Sequence, residues 1–393
     1  MKMKKIIPLS VPSLKGKELK YVKKCIDTNW VSSAGDFVRE FEEAVVKYTK
    51  AQFAVACVNG TSGLHVALNL CGVGVRDEVI VPTLTFIAPV NVVKYVGAEP
   101  VFMDCDNYMN IDCSKLREFC AKECSITKLG LKNKRTSRII KAIIPVHIFG
   151  NPCDMTGIMS IAGKYHLKVI EDATESLGSY YTNGVHKNRF TGTISDLGVY
   201  SFNGNKIITT GGGGMVVTNS KLLAKKARYL TNQAKDDPVK YIHNQIGYNY
   251  RLTNLQAALG LAQLEQLKGF IKIKKQNYKA YKNFLRGVNG LKILDIPDNT
   301  SSNYWFYSLV IDEKEFGMDR DELMNCLQSR GIQTRPLWYL NHLQRPYHKN
   351  QAYKIEKAVW FWKRVLNLPC STNLGIRQVK HIASVIRALN RKN

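Results

Sequence analysis

The chain has 393 residues, of which 45% are hydrophobic and 22% charged, with a formal net charge of +26 at pH 7. That length supports two or three domains with real cores, the composition is that of an ordinary globular protein, and no stretch is long and apolar enough to be read as a membrane helix. The positive charge could mark a nucleic-acid binder, but the lysines are spread widely and no nucleic-acid-reading motif accompanies them, so a solvated basic surface with no specific nucleic-acid partner is expected.

The N-terminal Met1-Lys-Met-Lys-Lys-Ile-Ile-Pro8 has too short an apolar stretch for a secretory signal, which makes the cytoplasm the expected location. Gln52 to Val58 reads as a strand, followed by Asn59-Gly-Thr-Ser-Gly63 and a helix carrying Leu64, Ala67, Leu68 and Cys71. The longest uncharged run, Ala54 to Val75, contains Asn59, His65 and Asn69 and is not a membrane helix. Asp77 to Val81 is a strand, and Pro82-Thr-Leu-Thr-Phe86 opens a helix through Val93. Pro100 to Met103 is the next strand, Lys122 to Arg138 an exposed excursion, and Arg138 to Pro145 another strand. Helix Met155 to Tyr165 leads into strand Leu167 to Glu171. This alternation predicts an α/β layer with a mostly parallel sheet, whose ligands collect at the carboxyl ends of the strands.

Thr253 begins a long amphipathic helix, and Lys272, Lys274 and Lys275 are expected on the solvent face of the helical stretch that follows. Tyr304 to Ile311 is strand-like, Asp319 to Ser329 a helix, Ile332 to Pro336 extended and Arg377 to Leu389 a final helix. The expected organisation is a large α/β domain over residues 1–255 and an interdomain helix with a smaller α+β domain over residues 256–393. The ten cysteines form no Cys-x-x-Cys, so they are read as reduced thiols, mostly packing residues, and no metal site is expected.

One lysine, Lys206, sits in an uncharged run from Leu197 to Thr218 and is soon followed by Gly211 to Gly214. Burying an ammonium is expensive unless it is paired or neutralised, and a lysine so held can lose its proton and attack a carbonyl. A surface hairpin with its lysine in water would look the same locally. Other features fall at strand ends. Gly60-Thr61-Ser62-Gly63 could offer free amides to a phosphate, or be a plain capped turn. Asp172 ends an apolar strand, where it could keep a heterocyclic nitrogen protonated or cap a helix. Phe86 could stack on a flat ring or belong to the core. Gly247-Tyr-Asn249-Tyr-Arg251-Leu-Thr-Asn254 could reach an anionic group or cap the long helix. Singly each signal is weak. Together, a phosphate cradle, a stacking ring, a carboxylate and a buried lysine match the requirements of pyridoxal phosphate.

The order of motifs resembles the DegT/DnrJ/EryC1/StrS family of sugar aminotransferases from Ile7 to about Leu389. The matching blocks are Asn29-Trp-Val-Ser-Ser33, Cys57-Val-Asn-Gly-Thr-Ser62, Pro82-Thr-Leu-Thr-Phe86, Pro145-Val-His147-Ile-Phe-Gly150, Glu171-Asp-Ala-Thr-Glu-Ser176 and Ser201-Phe-Asn-Gly-Asn-Lys206. Within the family the chain looks most like the LegC and PglE branch. The resemblance implies the fold type I of pyridoxal phosphate-dependent transferases, with a mostly parallel large-domain sheet. It implies that Lys206 forms a Schiff base with the cofactor, that Asp172 pairs with its pyridine nitrogen and that Phe86 stacks on its ring. Gly60, Thr61, Ser62, Ser201 and Asn203 would lie around the cofactor, Thr61 and Ser62 giving backbone amides and Ser201 its hydroxyl to the phosphate. Asn249 would reach that phosphate from a neighbouring subunit, making a homodimer with shared sites. Glu175 stands near the ring where many relatives carry His or Gln. Trp30, Ser32, Arg251, Trp338 and His342 are candidates for the sugar-nucleotide pocket, with ordinary packing as the competing account of them.

The implied reaction moves the amino group of L-glutamate to C4 of a nucleotide-linked 4-keto-6-deoxy-N-acetylhexosamine. The expected substrate is UDP-4-keto-6-deoxy-GlcNAc, for glycans of the bacillosamine or legionaminic acid type. The alternatives are a GDP- or dTDP-4-keto-6-deoxysugar aminotransferase of the perosamine or viosamine type, or a non-catalytic sugar-nucleotide-binding regulator. A deoxysugar dehydratase would carry histidine in place of Lys206.

Overall fold

The computed structural model describes residues 6–237 and 239–391. Its large sheet follows the order Phe53–Cys57, Gly214–Thr218, Leu197–Ser201, Lys168–Asp172, Ile139–Ile143, Asp77–Pro82, Glu99–Met103 and Ala352–Tyr353. Gly214–Thr218 runs antiparallel to both neighbours, and the rest of this path is parallel. Val79, Ile80 and Val81 are fully buried, as suits a parallel strand covered on both faces. Every parallel strand therefore delivers its carboxyl end to the same edge, and the loops carrying Gly60, Phe86, Asp172 and Lys206 leave from there.

Local chemistry explains where the elements begin. Asn59 caps helix Gly60–Leu70 by accepting from Ser62 N at 2.7 Å. Helix Ala88–Tyr95 starts later than the sequence suggests, with proline in its first turn. Residues 83–87 consequently stay outside the helix and Phe86 remains on a loop. The excursion after Lys122 is an ordered hairpin, Cys124–Thr127 with Gly130–Asn133, joined to the sheet through Ile139–Ile143. Its Ile126 and Leu129 are exposed, but buried Asn133 anchors it by donating to Glu78 Oε2 and Gln351 Oε1, each at 2.7 Å.

The single long helix expected after Thr253 is two helices. Thr253 and Gln256 form a capping box for Asn254–Leu264, and Leu267–Phe284 follows. Near the break, Gln263 and Gln266 both donate to Glu18. The second helix passes from one core to another: Leu267 and Phe270 pack with Phe41 and Phe202, whereas Tyr278 and Tyr281 pack with Tyr307 and Leu309. That second core covers an antiparallel sheet ordered Leu291–Ile293, Tyr307–Ile311, Val365–Leu368 and Arg335–Pro336. Helices Arg320–Ser329 and Ile376–Ala388 also pack on it.

Lys274 departs from expectation. It is buried, and its ammonium donates to Cys370 O at 2.6 Å and Trp305 O at 3.1 Å. Lys274 follows Leu267 and Phe270 on the apolar stripe of its helix, and two carbonyls compensate its burial. Lys272 and Lys275 are exposed as the pattern requires. All ten cysteines are free thiols, most of them buried. No helix among the described residues is long and apolar enough to cross a membrane.

Candidate active site

A cavity of about 590 Å3 opens where the parallel strands end. Gly60 and Thr61 line it from the first turn of helix Gly60–Leu70, where backbone amides have no partner inside the helix. A Cβ on Gly60 would lie 3.0 Å from both Ser201 Cβ and Thr174 Cγ2. The Gly60 backbone and the Ser201 hydroxyl thus meet at one small polar corner of the lining, next to Thr61. The neighbouring strand is just as close: a Cβ on Gly214 would fall 2.5 Å from the carbonyl carbon of Asn59.

The lining also carries three ionisable groups, Lys206, Glu175 and Asp172. Lys206 lies in the loop between the buried strands Leu197–Ser201 and Gly214–Thr218, so it is no surface hairpin lysine. Its side chain is 13% exposed, with Nζ 3.6 Å from Glu175 Oε1 and 4.0 Å from the centre of the Trp305 ring. Glu175 accepts from Phe149 N at 2.9 Å, and burial raises its pKa from 4.5 to about 7, even though Lys206 pulls the other way. Asp172 accepts from Thr174 N at 3.0 Å, and burial likewise raises its pKa against the pull of Thr174 and Lys206. Burial holds both carboxyls above their ordinary range, and a cation placed against either would offset that cost.

Next to Asp172 in the chain is a third buried carboxylate. Glu171 takes hydrogen bonds from Gly192 N, Ile194 N, Ser195 N and His147 Nε2 at 2.8 to 3.0 Å. Burial alone would raise its pKa, but these bonds outweigh it and hold the carboxyl below its usual range. His147 Nδ1 accepts from Cys153 N at 3.0 Å, so the ring proton sits on Nε2, facing Glu171. The Glu171–Asp172 pair is therefore one carboxylate fixed to the scaffold beside one presented to the cavity.

Over residues 12–387 the chain matches the DegT/DnrJ/EryC1/StrS aminotransferase family. It belongs to that family. The chain is 39% identical to the GDP-perosamine synthase of Escherichia coli O157:H7 over 384 residues, covering 97% of this chain and 98% of that protein. It is 38% identical to the GDP-perosamine synthase of Caulobacter vibrioides, covering 98% and 97%. The crystal structure of a DegT DnrJ EryC1 StrS aminotransferase from Brucella abortus superposes with a TM-score of 0.84 at 29% identity, covering 96% of each chain. The protein is thus a pyridoxal phosphate-dependent aminotransferase of the expected fold. These relatives support the family but do not single out the LegC and PglE branch.

Pyridoxal phosphate fits this DegT-family cavity. Gly60, Thr61 and Ser201 could take its phosphate, Asp172 its ring nitrogen, Lys206 its aldehyde and the loop at Phe86 its ring face, since all of them line this one cavity. Of the residues expected from sequence, Gly60, Thr61, Phe86, Asp172, Glu175, Ser201, Asn203, Lys206 and Trp338 line the cavity. Ser62 does not, and its amide already donates to Asn59 Oδ1. Phe86 is 51% exposed and faces Trp338 with ring centres 6.4 Å apart, so it is no core phenylalanine.

Trp30, Ser32, Arg251 and Asn249 lie outside this chain's own cavity. The first three form one unit: Asn254 donates to Trp30 O, Asn254 N to Ser32 O and Arg251 Nε to Ser33 O. His342 is also outside the lining, its Nδ1 2.6 Å from Thr83 Oγ1 behind the Phe86 loop. Sequence reasoning missed Trp305, Asn205 and Gln256, which do line the cavity. Trp305 reaches Lys206 because Asn303 donates to Glu175 O and Leu177 O, which keeps residues 304–306 out of the strand expected over Tyr304 to Ile311.

Proposed function

We propose that this aminotransferase moves the amino group of L-glutamate to C4 of a GDP-linked 4-keto-6-deoxysugar, giving a product of the GDP-perosamine type. The end-to-end likeness to GDP-perosamine synthases supports a sugar nucleotide as substrate and GDP as its nucleotide. That likeness favours the reading over the UDP-linked N-acetylhexosamine expected from motifs alone.

When bound, pyridoxal phosphate supplies an aldehyde to carry the amino group and a ring that takes up an electron pair. In this reading Lys206 holds the cofactor at rest and, once released, its Nζ moves the proton at the reacting carbon. Asp172 keeps the pyridine nitrogen protonated, using a buried carboxylate whose alternative is a costly unpaired charge. Gly60, Thr61 and Ser201 hold the phosphate, and Glu175 stabilises positive charge on Lys206 from 3.6 Å. Trp305 and Trp338 wall the cavity and exclude water from the amine.

Two copies would complete each other's sites. Asn249 is exposed, and the Trp30–Arg251 unit stands outside its own cavity, as groups serving a partner would. Mixing Lys206→Ala and Asn249→Ala subunits should then restore activity that neither variant shows alone.

The deciding experiment incubates the purified enzyme with L-glutamate and GDP-, UDP- and dTDP-linked 4-keto-6-deoxysugars, following amination by mass. The GDP substrate should be aminated at least about tenfold faster than the others. Preference for the UDP-linked N-acetylhexosamine would sink the perosamine reading.

A further inference from the structure

A second concavity of about 900 Å3 shares no lining residue with the active-site cavity. It lies between helix Asp36–Thr49, helices Asn254–Leu264 and Leu267–Phe284, and the segment from Gly178 to Phe190. Its walls carry five lysines, Lys47, Lys50, Lys268, Lys272 and Lys275, all exposed. None of them makes an ion pair among the described residues. The one carboxylate on the rim, Glu265, is already engaged by Lys17 Nζ at 3.0 Å and the Tyr21 hydroxyl at 2.7 Å.

Between the lysines lies an aromatic wall. The Phe190 ring centre is 5.3 Å from that of Tyr48 and 5.6 Å from that of Tyr180. The Tyr48 and Tyr180 hydroxyls make no hydrogen bond among the described residues. Leu261, Leu264 and Ile271 complete an apolar lining.

Five unpaired cations around one hollow repel each other, and their potential adds where the hollow is deepest. The occupant that relieves this carries several negative charges close together. The rings and aliphatic groups also require a flat, apolar body beside those charges. The volume is in the range of about 300–1,000 Å3 that suits one small molecule, and a hollow of this shape does not match a membrane surface.

We propose that this groove is a second binding site for a nucleoside diphosphate, its base against Tyr48, Tyr180 and Phe190 and its phosphates among the five lysines. The assignment does not depend on which sugar nucleotide is aminated, because the groove lysines lie outside the active-site cavity.

The test is calorimetric titration of the holoenzyme with GDP, UDP, guanosine and inorganic pyrophosphate, at low and at high salt. It compares the parent with Lys272→Glu/Lys275→Glu and with Phe190→Ala. The double variant should weaken one class of nucleotide site at least about tenfold and reduce its salt dependence. It should leave turnover at saturating substrate unchanged, which also reports that the chain is folded. Phe190→Ala should weaken the same class, and GDP or UDP should bind there at least about tenfold better than either pyrophosphate or the nucleoside alone. Parental nucleotide binding by the double variant would overturn the proposal. So would pyrophosphate binding as tightly as GDP. Capture of anionic phospholipid vesicles or polyglutamate through these lysines, with no nucleotide bound, would overturn it as well.

Discussion

Glu175 Oε1 lies 3.6 Å from Lys206 Nζ, and burial leaves the carboxyl with a pKa of about 7. A carboxyl raised in the folded state is favoured by folding when protonated. Its contribution is fully present below the ordinary value of 4.5 and is lost as pH rises through about 7. Glu175→Gln removes that dependence. Thermal unfolding of the cofactor-free protein between about pH 5 and about pH 8 should show the parent losing stability relative to the variant, by on the order of 3 kcal/mol at the alkaline end. Parallel curves for the two proteins would show that burial does not raise the Glu175 carboxyl as described.

Lys206→Ala tests the amine itself. The variant should lose turnover by at least about a thousandfold, because the same nitrogen is asked to hold the cofactor and to move the proton. Borohydride reduction of the parent, followed by peptide mapping, should place the cofactor on Lys206. Circular dichroism should be unchanged, since the side chain contacts the cavity rather than the core. Turnover of glutamate at the parental rate would end the assignment.

The residues legible in the sequence near the cofactor share a physical property: each ends a strand or follows one closely. Gly60, Asp172 and Ser201 are placed by the ends of parallel strands, so a short motif fixes both type and location. Trp305 had no such signal, because its approach to Lys206 depends on Asn303 bonding to Glu175 O and Leu177 O, far away in the chain. Lys274 did have a signal that its residue type masked. Its spacing from Leu267 and Phe270 put it on the buried stripe, and only the carbonyls of Trp305 and Cys370 make that position tolerable. The start of helix Ala88–Tyr95 departs from the sequence pattern for a third reason. Pro89 marks a helix's first turn better than Pro82 does, and Pro82 completes a strand.

The glycines near Met215 should not be equivalent. A Cβ on Gly214 would sit 2.5 Å from Asn59 backbone atoms, which cannot move without shifting the helix start. On Gly212 it would find nothing nearer than Gln256 Nε2 at 3.8 Å. Gly214→Ala should therefore destabilise by about 1–3 kcal/mol or more and weaken cofactor binding through the Gly60 turn, while Gly212→Ala should change stability by under about 0.5 kcal/mol. Chemical denaturation with and without pyridoxal phosphate checks both, and equal losses would mean that the turn is free to adjust.

Asn254 links the two halves of the unit that stands outside the cavity. Its side chain accepts from Phe37 N at 3.0 Å and donates to Trp30 O at 2.7 Å, while its own amide donates to Ser32 O at 2.6 Å. The side chain is buried, so Asn254→Ala strands a backbone donor and a backbone acceptor together. The expected cost is about 2–4 kcal/mol in chemical denaturation, with faster hydrogen exchange at Phe37 than elsewhere in helix Asp36–Thr49. If Trp30 and Ser32 serve a partner's site, the same variant should raise KM for the sugar nucleotide more than it lowers kcat. An unchanged KM alongside the stability loss would confine Asn254 to holding the chain together, and would remove the Trp30–Ser33 turn from the substrate pocket.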